Sequence, residues 1–187
     1  FRLLRLSNNL TNASRLAGDV PLPMQTLDLT ALAQAIYREC LPLAETMGLQ
    51  LQFRADGAPL FTDANEDGVR CVLYHFLSNA FKFTGEGKSI SVDIRAENGD
   101  CVVSVADEGC GMPKDKLSVI FDRYTTLQNY SLTKQSGTGI GLSLVKEIVE
   151  LHHASINVES EEGKGSLFSI TFLHGNEHFD ERVELSA

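Results

Sequence analysis

Three places in the chain combine residue types that could handle a charged or planar ligand. In the first, His75, Asn79 and Lys82 recur at spacings that, at about 100° per residue, gather them on one narrow polar arc of a helix. Val69, Leu73, Phe76, Leu77 and Ala80 face the other way. Any surface helix shows an apolar face and a polar stripe, which accounts for His75 and Lys82, but Asn has mediocre propensity in a helix interior and asks for a further use. The second place is Val105-Ala106-Asp107-Glu108-Gly109-Cys110-Gly111-Met112, where an apolar run meets an acid and two glycines. Glycines let a backbone pass close to a flat ligand, and a carboxylate at a strand end accepts a hydrogen bond from an exocyclic amine. The third is Gly137-Thr138-Gly139-Ile140-Gly141-Leu142, a glycine-rich turn opening into an apolar-periodic stretch. Free amides at such a helix start suit phosphates. No Lys-Ser or Lys-Thr follows the glycines, which excludes a P-loop, and the preceding segment is polar, which excludes a dinucleotide fingerprint.

The elements that must position these groups follow from periodicity. Leu3, Leu6, Leu10, Ala13 and Leu16 form the seam of a short amphipathic helix, ended by Gly18, Pro21 and Pro23. Asp28 caps a second helix to about Glu45, with Leu32, Ala35, Ile36 and Leu43 apolar, and Pro42 predicts a late bend or fraying. A strand at residues 50–54 and a short extended piece at 60–62 precede the helix that carries Asn79, expected over 66–84. Two strands, 89–97 and 101–106, flank the hairpin signal Asn98-Gly99. A short helix is expected over 114–122, then a polar functional loop over 123–137 and a helix over 139–153. Strands at 155–160 and 167–172 flank Glu162-Gly163-Lys164-Gly165.

Composition narrows the function classes. A formal net charge of -9 with scattered Lys and Arg offers no basic face for a phosphate backbone, so nucleic acid is not an expected partner. No apolar run approaches the roughly 20 residues of a membrane span, and the first residues lack a signal-peptide layout. The expected setting is cytoplasmic, with any membrane attachment in parts of a parent outside this sequence. Cys40, Cys71, Cys101 and Cys110 lack metal-ligand spacing and read as reduced thiols.

The order of the motifs resembles the GHKL superfamily of ATP-binding domains and, within it, the histidine kinases. HFLSNAFKFT is similar to the family's Asn box, VADEGCGMP to its first glycine box, IFDRY to its Phe box and SGTGIGLSLVKEIVELH to its second glycine box. The resemblance implies an α/β two-layer sandwich, a mixed sheet packed on helices, with ATP and Mg²⁺ on the helical side. It divides the chain into a remnant of a dimerisation helix at 1–18, an ATP-binding domain at 24–173 and a tail at 174–187. It implies that Asn79 ligates Mg²⁺, that Lys82 lies near the phosphates and that Asp107 accepts the adenine amino hydrogen. Gly109 and Gly111 would line the base pocket. Phe121 would anchor one end of a lid, and Gly137, Gly139 and Gly141, with Thr138 and Leu142 beside them, would form the other end next to the phosphates. His75 stands where the family commonly has Asn, and where its ATP-hydrolysing relatives have a water-activating Glu, which favours a kinase. The implied partners are the dimerisation and phosphoacceptor helices of a homodimeric parent and a response-regulator receiver domain. The phosphoacceptor His lies upstream in the family, so this chain alone is expected not to phosphorylate itself. His152, His153, His174 and His178 are read as structural or incidental. The alternatives are a GHKL ATPase, an anti-sigma-type serine kinase, or a nucleotide-binding scaffold without kinase activity.

Overall fold

A computed structural model describes residues 23–122 and 141–173. The seam from Leu3 to Leu16, the loop 123–137 with Gly137, Thr138 and Gly139, and the tail 174–187 lie outside the described residues. The chain order is β1 (Gln25–Asp28), α1 (Leu29–Thr46), β2 (Gln50–Ala55), β3 (Phe61–Ala64), α2 (Glu66–Phe83), β4 (Ser89–Glu97), β5 (Asp100–Asp107), α3 (Gly141–Leu151), β6 (Ser155–Glu161) and β7 (Gly165–Phe172). Five strands form a sheet in the order β2-β4-β5-β7-β6, parallel between β2 and β4 and antiparallel elsewhere, while β1 and β3 pair as a separate ribbon.

Alternation explains why the sheet has a helical side. Along β4 the residues Ile90, Val92 and Ile94 are buried, whereas the intervening Ser91 and Asp93 are half-buried on the opposite face. The buried faces of the three described helices join these strands in one apolar cluster, with the rings of Phe76 on α2 and Phe168 on β7 centred 5.2 Å apart. The architecture is the two-layer α/β sandwich expected from the sequence. Helix starts are set by side chains: Asp28 accepts from the Ala31 amide at 2.9 Å, and Asn65 accepts from the Gly68 amide at 2.9 Å. Asn98 and Gly99 both take positive φ, 54° and 94°, as the expected hairpin requires.

Three expectations need correction, and one strand has no counterpart among them. Residues 114–122 are not a helix but a 3₁₀ turn, Lys114–Lys116, followed by further turns. Every backbone bond there spans three residues, as in Lys116 to Pro113, Val119 to Lys116 and Asp122 to Val119, which lets Ile120 reach the core without an α-helical repeat. Of the late bend or fraying expected at Pro42, fraying does not occur: α1 continues to Thr46, where the threonine hydroxyl donates to the Pro42 carbonyl at 2.8 Å. The buried seam of α1 runs through Leu29, Leu32, Ala33, Ile36, Cys40 and Ala44, so Leu43, expected inside, is exposed. The ribbon strand β1 has no counterpart in the periodicity, because four residues with one buried side chain carry too little pattern.

Candidate functional site

Asp107 ends β5, opposite Ile90 of β4 and Ser166 of β7. Its Oδ1 accepts from the Gly109 amide at 2.8 Å, so the chain folds back on the carboxylate as it leaves the strand. Burial pushes the Asp107 carboxyl above its usual range, an effect countered in part by the amides of Gly109 and Ser166 and by the charge of Lys88. An ionised carboxylate offers about four lone-pair sites, so two amides leave it room for a further donor.

Three glycines make this turn possible. A Cβ on Gly109 would sit 2.5 Å from Asp107 Oδ1 and 2.6 Å from the Phe83 carbonyl oxygen, so the first glycine of the box is wedged against the end of α2. Gly111 has φ +63°, and a Cβ there would lie 1.9 Å from the Glu161 carbonyl oxygen. Across the sheet a Cβ on Gly165 would lie 1.8 Å from the Asp107 carbonyl oxygen. The turn is tied on both sides: the Cys110 amide donates to Phe83 O at 3.2 Å, the Gly163 amide to Cys110 O at 2.7 Å, and the Met112 amide to Ser160 Oγ at 2.8 Å. It therefore bridges the C-terminal end of α2 and the β6–β7 hairpin.

The polar arc of α2 leads to the same end of the molecule. His75 and Asn79 are half-buried and lie one helical turn apart, and Lys82 holds its ammonium 5.0 Å from the centre of the Phe83 ring. Phe83 is the residue whose carbonyl receives the first glycine turn, so the arc and the carboxylate are joined through it. His75 lies against the first residue of α3: a Cβ on Gly141 would be 3.0 Å from its Nδ1. Burial pushes the His75 imidazole below its ordinary value of 6.5, which favours the neutral ring.

The remaining expected residues divide in two. Phe121 and Leu142 are half-buried and pack against the apolar core, and Gly141 starts α3 beside His75. Gly137, Thr138 and Gly139 lie outside the described residues. Among the described residues no group of three or more His, Cys, Asp or Glu is placed to hold a metal ion. Gly165 and Ser166 were not singled out by the sequence reading, which treated them as hairpin turn and strand. Their link to Asp107 depends on strand register between distant segments, and the only local signal was the second glycine of Gly163-Lys164-Gly165.

Residues 64–176 match the family described as histidine kinase-, DNA gyrase B-, and HSP90-like ATPase. The sensor histidine kinase WalK of Bacillus subtilis is 35% identical over 124 residues, covering 65% of this chain and 20% of its own length. The adaptive-response sensory kinase SasA of a Synechococcus strain is 35% identical over 170 residues, covering 89% of this chain and 44% of its own. Among solved structures, full-length ShkA in complex with AMPPNP superposes with a TM-score of 0.76 at 26% identity, covering 91% of this chain and 35% of that one. The chain thus spans less than half the length of these relatives. The match over residues 64–176, the sandwich and the ordered boxes on it together make the chain a member of the histidine kinase-, DNA gyrase B- and HSP90-like ATPase family, as the ATP-binding domain of its histidine kinase branch.

Proposed function

We propose that this domain holds Mg-ATP so that the γ-phosphoryl group can pass in line to a histidine outside this chain, within a two-component sensor kinase. The observation that carries the reading is the half-buried Asp107 carboxylate, clamped between glycines at the end of α2 and in register with the β6–β7 hairpin. A partly desolvated carboxylate with acceptor capacity left over is the group that would take the amino hydrogen of adenine, with Gly109 and Gly111 giving the base close approach to the backbone.

From there α2 leads toward the phosphates. Lys82 would lie near them, and Asn79 would lend its amide oxygen to Mg²⁺, whose other ligands would be phosphate and water, an arrangement this hard cation favours. The metal would spread the charge that develops on the transferring group. Gly137, Thr138, Gly139 and Gly141, with Leu142, would form the phosphate end of the lid, and Phe121 its other anchor. The neutral ring of His75, pressed on Gly141, supplies no carboxylate to activate water, which favours transfer to a protein nucleophile over hydrolysis. None of the five histidines is assigned as the acceptor, which would come from the dimerisation helices of a homodimeric parent; a receiver domain would take the phosphoryl group onward.

The test is calorimetric titration with ATP. Asp107→Asn is expected to weaken binding by about 1.5–3 kcal/mol, roughly ten- to hundredfold, because a hydrogen bond to a charged acceptor is lost in a partly dry pocket. Asp122→Asn, at an exposed position, should leave affinity unchanged. Equal affinities for the two variants would reject the assignment.

A further inference from the structure

Helices α2 and α3 meet through a reciprocal pairing of histidine with glycine at each end. At one end His75 of α2 lies on Gly141 of α3, as described above. At the other, His152, just past α3, lies on Gly68 of α2: a Cβ there would be 2.8 Å from His152 Cε1 and 3.3 Å from Ile148 Cγ2. His152 is only 2% exposed. Its Nε2 accepts from the Asn65 backbone amide at 3.0 Å, and its Nδ1 lies 2.7 Å from the Ile148 carbonyl oxygen. A backbone amide can only donate and a carbonyl can only accept, so the neutral ring protonated on Nδ1 is the one form that satisfies both. Asn65 extends the connection. It caps α2 through its Oδ1, and its Nδ2 donates to the Pro23 carbonyl at 3.0 Å, where the incoming chain joins the domain.

We propose that neutral His152 is a positioning residue for the nucleotide site: it fixes the far ends of α2 and α3 on each other, so that His75 and Asn79 on one helix keep their spacing from Gly141 on the other. This rests on the functional reading above. A packed helix transmits such a constraint along its length, since cores resist small displacements, and a misplacement of about 1 Å at a reacting group can cost on the order of a hundredfold. Protonation would set an N–H against the Asn65 N–H and leave that buried donor without its acceptor. Burial holds the imidazole below its ordinary value, the backbone hydrogen bonds with Ile148 and Asn65 offset part of this, and the neighbouring titratable group that acts on it, His153, adds to the lowering. The Asn65 and Gly68 side of α2, Ile148 of α3 and the Phe172 ring of β7, which meets the imidazole edge-on at 6.1 Å, bring no charge.

The experiment is titration of the full chain with Mg-ATP at about pH 7.5 and pH 5.5, at a temperature where circular dichroism shows each variant folded. His152→Phe fills the space without an acceptor, and Gly68→Ala pushes the imidazole from its seat. Both are expected to weaken binding by roughly ten- to a hundredfold. His152→Gln restores an amide oxygen to the Asn65 amide and is expected to bind within about threefold of the wild type at the higher pH. It should also lose less affinity than the wild type on acidification. Wild-type affinity in folded His152→Phe and Gly68→Ala would overturn the positioning role alone, as would a His152→Gln variant with the same pH profile as the wild type. If the first two variants do not fold, the His152→Gln profile decides. A wild-type chain that binds no Mg-ATP would instead overturn the functional reading on which the proposal stands.

Discussion

Asp107 is held in a conflict that its neighbours only partly relieve. Burial disfavours its charge, and the amides of Gly109 and Ser166 recover part of the cost. Because its carboxyl is pushed above the unfolded value of 3.8, the charged form is worse off folded than unfolded, so Asp107→Asn should raise the thermal midpoint of the nucleotide-free chain at neutral pH while it weakens ATP binding. A lowered midpoint together with weakened binding would mean that the carboxylate is structural. Asn79 carries a different expectation: Asn79→Ala should reduce the enhancement of ATP binding by magnesium and leave metal-free binding nearly unchanged, read by titrating the wild type and this variant with and without the cation. Equal enhancement in both would move the metal elsewhere. These two residues were legible in the sequence because each breaks a local rule, an amide inside a helix and an acid at a strand end before glycines. His152 broke none. A histidine at a helix end after Leu151 gives no sign that its ring will meet the Asn65 amide, since that contact depends on how two helices pack.

Helices and strands were read closely where they are long and amphipathic, as with α2 and β4, and poorly where tertiary contacts replace periodicity, as in the 3₁₀ turns around Ile120 and the ribbon strand β1. Turns carry the same distinction into energetics. Gly111 and Gly163 both have positive φ, 63° and 79°, but a Cβ on Gly163 meets nothing within 4 Å, whereas one on Gly111 strikes the Glu161 carbonyl. Gly163→Ala is therefore expected to cost about 1–2 kcal/mol for the left-handed backbone alone. Gly111→Ala adds about 1–3 kcal/mol for the forced displacement and should also loosen the turn that holds Asp107. Denaturant midpoints of the two variants would show the difference, and equal losses would mean that the hairpin yields freely to the added methyl. Sequence alone ranked these glycines by motif, and only the register of β5 on β7 and of β7 on β6 brings Glu161 against Gly111 and shows which one is sterically required.

Across the described residues, the half-buried His75 and the buried His152 contribute to the response to acid. His75 and His152 are both depressed below 6.5 in the folded chain, so the unfolded chain takes up protons first as pH falls. Stability should be full above about pH 6.5 and decline below it toward the folded values of the two rings. Asp107 has the opposite sign: its raised carboxyl gains a proton in the folded state first, which returns stability at lower pH. Urea midpoints measured from about pH 7.5 to 5 should therefore fall, and a flat profile would show that neither imidazole is held neutral. The mixed sheet was legible as a class from alternating strands and hairpin signals, but the parallel β2–β4 pair was not, because it is fixed by the path through β3 and α2. That path also places the connections of the domain. The chain comes in at Pro23 beside Asn65, and it goes out at Leu173, whose carbonyl accepts from Thr62 on the strand leading to that same residue. Both connections thus sit at one pole, while Asp107, Asn79 and Gly141 sit toward the other. The distance between the two poles is set by one element: α2, 18 residues long, spans roughly 27 Å. A displacement at the Asn65 end of that helix is carried along its whole length to the pole that holds Asn79 and Asp107, because a packed helix does not absorb it on the way.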